Sequence, residues 1–553
     1  MRVKKQSFLY GSAILVLSVI ITKLIGAFFK IPLTNMLGGT GMGYFSCAYS
    51  IFMPVYAISV TGLPVAVAKL VSEALAKGEY QKAYEIKKMS LKLFSVIGII
   101  FMLAEVLFAY PFCKYIAKLP LATPAVILIA PTIFIACITS VYRGYYEGLS
   151  NMYPTAVSQT IEGIVKITVG LFLAHKIFEI TQSNTETVNI ISNMLNISNT
   201  TEEILPAISA AAAVMGITIS SLCGMIFLVF RDKMSKKYII GQNNSSKSIK
   251  KSLIEIAFPV AIGSLVTSLT TLADLGTITS SIERIVDKHP EYFAYLNLNR
   301  SEISGFFYGS FSGLAITVFN LVPSVVNMFG KGIFPSLSEA KALNDNTKIR
   351  KCIEKAFLTA SFFAIPSGFG ISILSKEILL FLFKEKTHEI AISYNSLSIL
   401  GIGVIFLSLT TTVFSMLQAV GRADIPLKIM ILGTIIKIFG NILLVPIPNI
   451  NINGAAVSTT ISYMIMLVIS IISLLKETRV NIEKSAKIKI LIISYSSILC
   501  ALTAKILNTV LINHVSDRIN LLLSIVLGGF IYLIFISFIG YYAKSYIFSP
   551  KNK

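Results

Sequence analysis

Tryptophan is absent from this 553-residue chain, histidine occurs four times, and charged residues make up only 14% of it. A soluble protein carries about a quarter of its residues as charges, and one of this length divides into several domains with polar surfaces. That class is excluded. Without tryptophan, tyrosine and phenylalanine must supply any interfacial aromatic belt. The histidines (His175, His289, His388, His514) fall at helix ends or in loops. The cysteines (Cys47, Cys113, Cys137, Cys223, Cys352, Cys500) are scattered without metal-ligand spacing. Neither a metal centre nor a disulfide framework is expected, and no cofactor is implied. Enzyme signatures are missing as well: there is no HExxH, no paired-carboxylate motif and no phosphate-binding glycine loop. An ATP-driven pump would need a nucleotide domain, and no polar segment is long enough to form one. The composition therefore points away from an enzyme.

What the chain does have is apolar sequence, with 54% hydrophobic residues and a mean hydropathy of +0.76. Apolar runs of about twenty residues, each long enough to cross a ~30 Å hydrocarbon layer, recur from end to end. The alternation of barrel strands is absent, so helices must satisfy the backbone in lipid. We read an all-α polytopic membrane protein of about fourteen transmembrane helices. They lie near residues 7–29, 44–70, 90–112, 121–143, 154–177, 205–230, 253–278, 304–329, 355–375, 391–417, 425–446, 454–475, 488–511 and 519–542. The basic start Met1-Arg2-Val3-Lys4-Lys5 lacks a following small-x-small cleavage site and reads as the flank of a retained first helix.

The net charge of +21 invites a nucleic-acid reading, but lysine and arginine sit in short loops such as Arg231–Lys251, Lys331–Lys351 and Lys476–Lys489. That is the positive-inside pattern. It predicts a multi-pass protein of the cytoplasmic membrane with both termini cytoplasmic and the acidic, Asn-rich loop 179–203 outside. No nucleic-acid partner is expected.

Three matches in order suggest an internal repeat. Ser72-Glu73-Ala74 returns as Ser338-Glu339-Ala340. Gly148 to Pro154 followed by Gly163-Ile164-Val165-Lys166-Ile167 pairs with Gly421 to Pro426 followed by Thr434-Ile435-Ile436-Lys437-Ile438. Ala212-Ala213-Val214 pairs with Ala455-Ala456-Val457. The repeat predicts an N-terminal six-helix lobe (1–230), a basic cytoplasmic linker (231–252), a C-terminal six-helix lobe (253–475) and two additional helices with a tail (476–553). Six helices per lobe give both the same orientation, a parallel repeat about the membrane normal with a central cavity.

Charge inside apolar helices costs about 2.5–3.5 kcal/mol on insertion scales and marks candidate sites. Lys23 and Lys30 lie two turns apart on helix 1, placed to present ammonium groups to an anionic substrate or to snorkel. On helix 5, Glu162 and Lys166 stand at i,i+4 with the acid N-terminal, the favourable order for an ion pair. Lys437 is the repeat partner of Lys166. We take Lys23, Lys30, Glu162, Lys166 and Lys437 as candidate cavity residues. Glu105, Asp274 and Arg143 are candidates for coupling or gating, with headgroup anchoring the alternative for Arg143.

These stretches also carry a resemblance. Lys23-Leu24-Ile25-Gly26 through Lys30-Ile31-Pro32-Leu33, Gly41-Met42-Gly43-Tyr44, Gly62-Leu63-Pro64 with Ser72-Glu73, Tyr142-Arg143-Gly144-Tyr145-Tyr146, Pro154 with Ser158-Gln159 and Glu162, Ala419-Val420-Gly421-Arg422 and Gly454-Ala455-Ala456 span residues 1–475. They resemble the polysaccharide-transporter branch of the multidrug/oligosaccharidyl-lipid/polysaccharide exporter superfamily. Within it the chain looks most like stage V sporulation protein B and its relatives, akin to the lipid II flippases of cell-wall synthesis. The resemblance implies a two-lobe bundle exporting a polyprenyl-pyrophosphate-linked saccharide by alternating access, driven by an ion or the membrane potential. It implies substrate contacts on helix 1, where Lys23 matches one cationic position and Lys30 lies one residue from the other. It also implies a lipid-facing groove at the last two helices. Those flippases carry charges on helix 2, whereas Tyr44 to Gly62 holds none here, which leaves a sporulation-associated role open beside lipid II. A cation-coupled multidrug exporter would have a cavity led by carboxylates, and a non-transporting scaffold of the spore-envelope machinery would need no intramembrane charge.

Overall fold

A computed structural model describes residues 8–183, 201–234, 246–296, 298–511 and 515–547. Among the described residues the chain is all-helical, without strands. Twelve helical runs there are long and apolar enough to cross a membrane, from Phe28–Ala76 to Asp517–Phe538. The chain is a multi-pass membrane protein.

The first two expected segments form one continuous helix, α1 (Phe8–Val60), bent at Gly38, whose φ of 65° breaks the helical run. α2 (Leu63–Ala76) begins with Pro64 in its first turn, where the missing N–H costs nothing. α3 (Tyr80–Pro111) passes into a π-helical turn, Phe112–Ile116. α4 (Thr123–Ile129) and α5 (Pro131–Gly148) divide at Pro131, and α6 (Tyr153–Ser183) and α7 (Thr201–Met234) follow. Next come α8 (Ser246–Lys288) and α9 (Arg300–Ser310), then α10 (Ile316–Phe319) and α11 (Leu321–Ala342). α12 (Asn346–Ile373) is capped by Asp345, which accepts from the Thr347 and Lys348 amides at 3.1 and 3.0 Å. A bond from the Thr347 hydroxyl, together with those amides, holds the Asp345 carboxyl below the usual carboxylate range. The chain ends with α13 (Ser375–Leu382), α14 (Thr387–Ala419), α15 (Asp424–Leu444), α16 (Asn453–Thr478), α17 (Lys484–Leu511) and α18 (Asp517–Ile547).

Packing groups the chain into two compact units. The first holds residues 1–283 with 297–309, the second 284–296 with 310–553. Most of α8 thus packs with the first unit: Leu253 and Ala257 join Val60, Leu63 and Val67 in one core. In the same unit the start of α9 meets α1 backbone to backbone. A Cβ on Gly43 would lie 2.3 Å from the Gly305 carbonyl oxygen, and one on Gly309 would meet Gly39. Two glycines four apart on each helix permit this approach, the small-residue packing of membrane helices. The core of the second unit runs through α12, α14 and α16, with Ala360, Val413 and Leu474 among its buried residues.

The repeated Ser-Glu-Ala stretches perform the same task in both units. Ser72 donates to the Gly148 carbonyl at 3.1 Å, and Ser338 donates to the Ala419 carbonyl at 3.0 Å. Each ties a short helix to the C-terminal end of a long one, satisfying a carbonyl that the helix end leaves unpaired.

Candidate functional site

In the first unit the intramembrane charges gather on α1, α5 and α6. α6 packs against both α1 and α7, which places its polar residues inside the bundle. Lys166 reaches α1: its ammonium donates to the Tyr49 hydroxyl at 3.2 Å and lies 4.9 Å from the Phe29 ring centroid and 5.6 Å from that of Tyr49. Aromatic faces hold a cation through their quadrupole. Lys30 follows Phe29 directly, half-buried and within electrostatic reach of Lys166. Two cations sharing one patch of α1 and α6 attract an anion. Lys23 lies further back on α1, and its side chain is outside the described residues.

Glu162 does not pair with Lys166. Its carboxylate lies 2.8 Å from the Arg143 guanidinium of α5, the two side chains being 23% and 13% exposed. Arg143 Nε also donates to Ser158 Oγ at 3.0 Å. The spacing rule for one helix fails because a partner on a neighbouring helix is better placed, and this frees Lys166 to reach the aromatic rings. Arg143 is accordingly tied into the bundle on α6. Gly224 of α7 makes room for the pair, since a Cβ there would sit 2.4 Å from Glu162 Oε1.

The remaining candidates are dispersed. Asp274 sits half-buried on α8, within electrostatic reach of Tyr308. Glu105 is 2% exposed on α3. Lys437 is in the second unit, buried on the inner face of α15 with Asn441 one turn on. The Ser458 hydroxyl bonds the Asn441 side chain. Structure therefore brings together Lys30 and Lys166, and Arg143 with Glu162, but not all eight candidates.

Lys87 is not among the candidate residues. Lys87 bonds both oxygens of Asp232 at 2.7 and 3.0 Å while lying 4.6 and 4.7 Å from the ring centroids of Tyr84 and Tyr145. It fastens the start of α3 to the end of α7. In the second unit an apolar cavity of about 570 Å³ opens between α12, α17 and α18, lined by Phe362, Pro366, Gly370, Ala501 and Gly529. A second, of about 480 Å³, shares Phe362 and Phe363 with it and extends along α17 to Lys489. Beyond the other end, Lys505 of α17 pairs with Glu377 of α13. Lys489 and Lys505 stand about 24 Å apart by helical rise, close to the thickness of a hydrocarbon layer.

The sequence model of the lipid II flippase MurJ matches residues 49–527. This chain belongs to the MurJ family. Stage V sporulation protein B of Bacillus subtilis (strain 168) is 24% identical over 551 residues, covering 96% of this chain and 95% of its own. The solved structure of lipid II flippase MurJ in an inward closed conformation superposes with a TM-score of 0.62 at 18% identity, over 96% of this chain and 98% of that one. A multidrug resistance MATE family transporter in an inward-facing conformation reaches the same TM-score at 11% identity, over 86% of this chain and 96% of its own. These likenesses in structure show a shared fold. The MurJ family model, covering most of the chain, is what favours the flippase branch over the multidrug branch.

Proposed function

We propose that this MurJ-family protein flips a polyprenyl-pyrophosphate-linked saccharide, a peptidoglycan precursor or related polysaccharide, across the cytoplasmic membrane by alternating access. The observation that carries the reading is Lys166, held beside Phe29 and Tyr49 in otherwise apolar helices, with Lys30 within electrostatic reach of it. A pyrophosphate crossing lipid needs compensating charge, because desolvating it unpaired is prohibitive. The polyprenyl tail need only stay in apolar surroundings, and the groove between α12, α17 and α18 supplies them. Lys23 and Lys437 remain separate candidates, and a cation or proton gradient or the membrane potential drives the cycle. Both termini face the cytoplasm, as the lysine and arginine distribution requires.

The reading is tested with the full-length protein in liposomes and a fluorescent polyprenyl-diphosphate disaccharide. Lys30→Gln and Lys166→Gln each remove a charge-assisted contact of about 1.5–3 kcal/mol and should slow flipping about tenfold or more. Lys166→Arg should keep most of the rate. Normal rates in both glutamine variants would move the site elsewhere.

A further inference from the structure

We propose that Glu105 is a proton-binding site inside the first unit, neutral in the conformation seen here and charged when α3 opens toward water. The inner face of α3 runs through Lys87, Ser90, Phe94, Gly98, Glu105 and Ala109. Heptad and half-heptad spacing along that face leads to an apolar residue at 105, and a carboxyl stands there instead. It is 2% exposed, and neither oxygen has a hydrogen-bond partner. α3 packs against α1, α2, α4 and α5. Among the described residues, no charged or titratable side chain from these elements acts on it.

A carboxylate cannot remain ionised in such a setting without a partner. A metal ion would need several oxygen ligands around it, and among the described residues no cluster of acidic or histidine side chains provides them. The proton is the cation that a solitary carboxyl can hold.

The surrounding backbone is irregular at two places. α3 runs out at Pro111 into the π-helical turn Phe112–Ile116, a deformation frequent at functional sites. Opposite, the α4–α5 break at Pro131 is bridged by Thr218, which donates to the Leu128 carbonyl at 2.7 Å and bonds Thr132 at 2.9 Å. Repacking at either irregularity would admit water to the inner stripe and release the proton. Protonation then favours the closed packing, and deprotonation the open one. This inference goes beyond the cargo assignment and couples the cycle to a pH gradient.

The test treats the full-length protein in liposomes with dicyclohexylcarbodiimide, which attacks protonated carboxyls in apolar sites, and maps adducts by mass spectrometry. Glu105 should be labelled at neutral pH and progressively less at alkaline pH. Glu105→Gln, a neutral isostere of the protonated acid, should fold and elute as the native protein does. Absence of an adduct at Glu105 while other carboxyls react would overturn the proposal, as would a misfolded Glu105→Gln protein. This arm stands whatever the cargo. In the flipping assay, an imposed pH gradient should change the native rate but leave the rate of Glu105→Gln unchanged. A gradient response retained by Glu105→Gln would place coupling elsewhere.

Discussion

The two units answer the same helical pattern with opposite chemistry. Shifting by the 271-residue offset that pairs Lys166 with Lys437 (437 − 166 = 271) carries Arg143 to Phe414 (143 + 271 = 414) and Glu162 to Gly433 (162 + 271 = 433). In the first unit a carboxylate on α6 packs over Gly224 of α7. In the second a glycine on α15 packs under Met466 of α16, whose sulfur would lie 2.2 Å from an added Cβ. Bulk and its cavity have changed sides, and the ion pair has gone. The shared Ser72 and Ser338 bonds keep the scaffold alike. What differs is the interior: the first unit holds an ion pair and a lysine against aromatic rings, the second the buried Lys437 and a long apolar groove. On the function proposed above, the first unit takes the polar head and the second the hydrocarbon tail.

The sharpest way to break the comparison is at the ion pair. Glu162→Gln leaves the Arg143 cation without its partner and should destabilise the protein by about 3 kcal/mol. Adding Arg143→Met, which leaves these two positions uncharged like Phe414 and Gly433, should restore most of that loss. Thermal unfolding in detergent measures both. An unrestored double variant would mean that the pair does more than neutralise itself.

A smaller contrast lies in the two glycines. Gly224→Ala pushes on a carboxylate held by Arg143 and should cost about 1–3 kcal/mol. Gly433→Ala pushes on a methionine sulfur that can rotate away, so its melting temperature should fall less. Equal shifts would deny that the first unit is the more rigidly specified. The least effect is expected where the units agree: Ser72→Ala and Ser338→Ala each remove one hydrogen bond and should each cost about 1 kcal/mol.

Helices were the legible part, because each needs its own apolar run to cross the membrane. Lys30, Lys166 and Lys437 were visible as charges that such runs do not tolerate without reason. The partner of Glu162 was hidden. Lys166 stands at the right spacing on the same helix, but Arg143 reaches across from α5, and only the packing of α5 on α6 shows it. Lys87 and Asp232 lie far apart in the sequence, and only folding sets the Lys87 ammonium against Asp232 and over the Tyr84 and Tyr145 rings. The groove is implied by the family resemblance at the last two helices, but the residues themselves do not announce it. It is made by small residues on separate helices, Gly370, Ala501 and Gly529, which alone look like common membrane-helix composition. Gly529 carries this into a test, since an added Cβ there meets nothing within 4 Å.

That open position allows the division of labour to be measured directly. Flipping would be compared for two diphosphate-linked saccharides, one on a long polyprenyl chain and one on a short farnesyl chain, in the native protein, Lys166→Gln and Gly529→Phe. Lys166→Gln should lose both substrates, because both carry the diphosphate. Gly529→Phe should fold normally, lose the long-chain substrate and keep the short one. If Gly529→Phe moves both at the native rate, or if Lys166→Gln discriminates by tail length, the assignment of head to the first unit and tail to the second is contradicted.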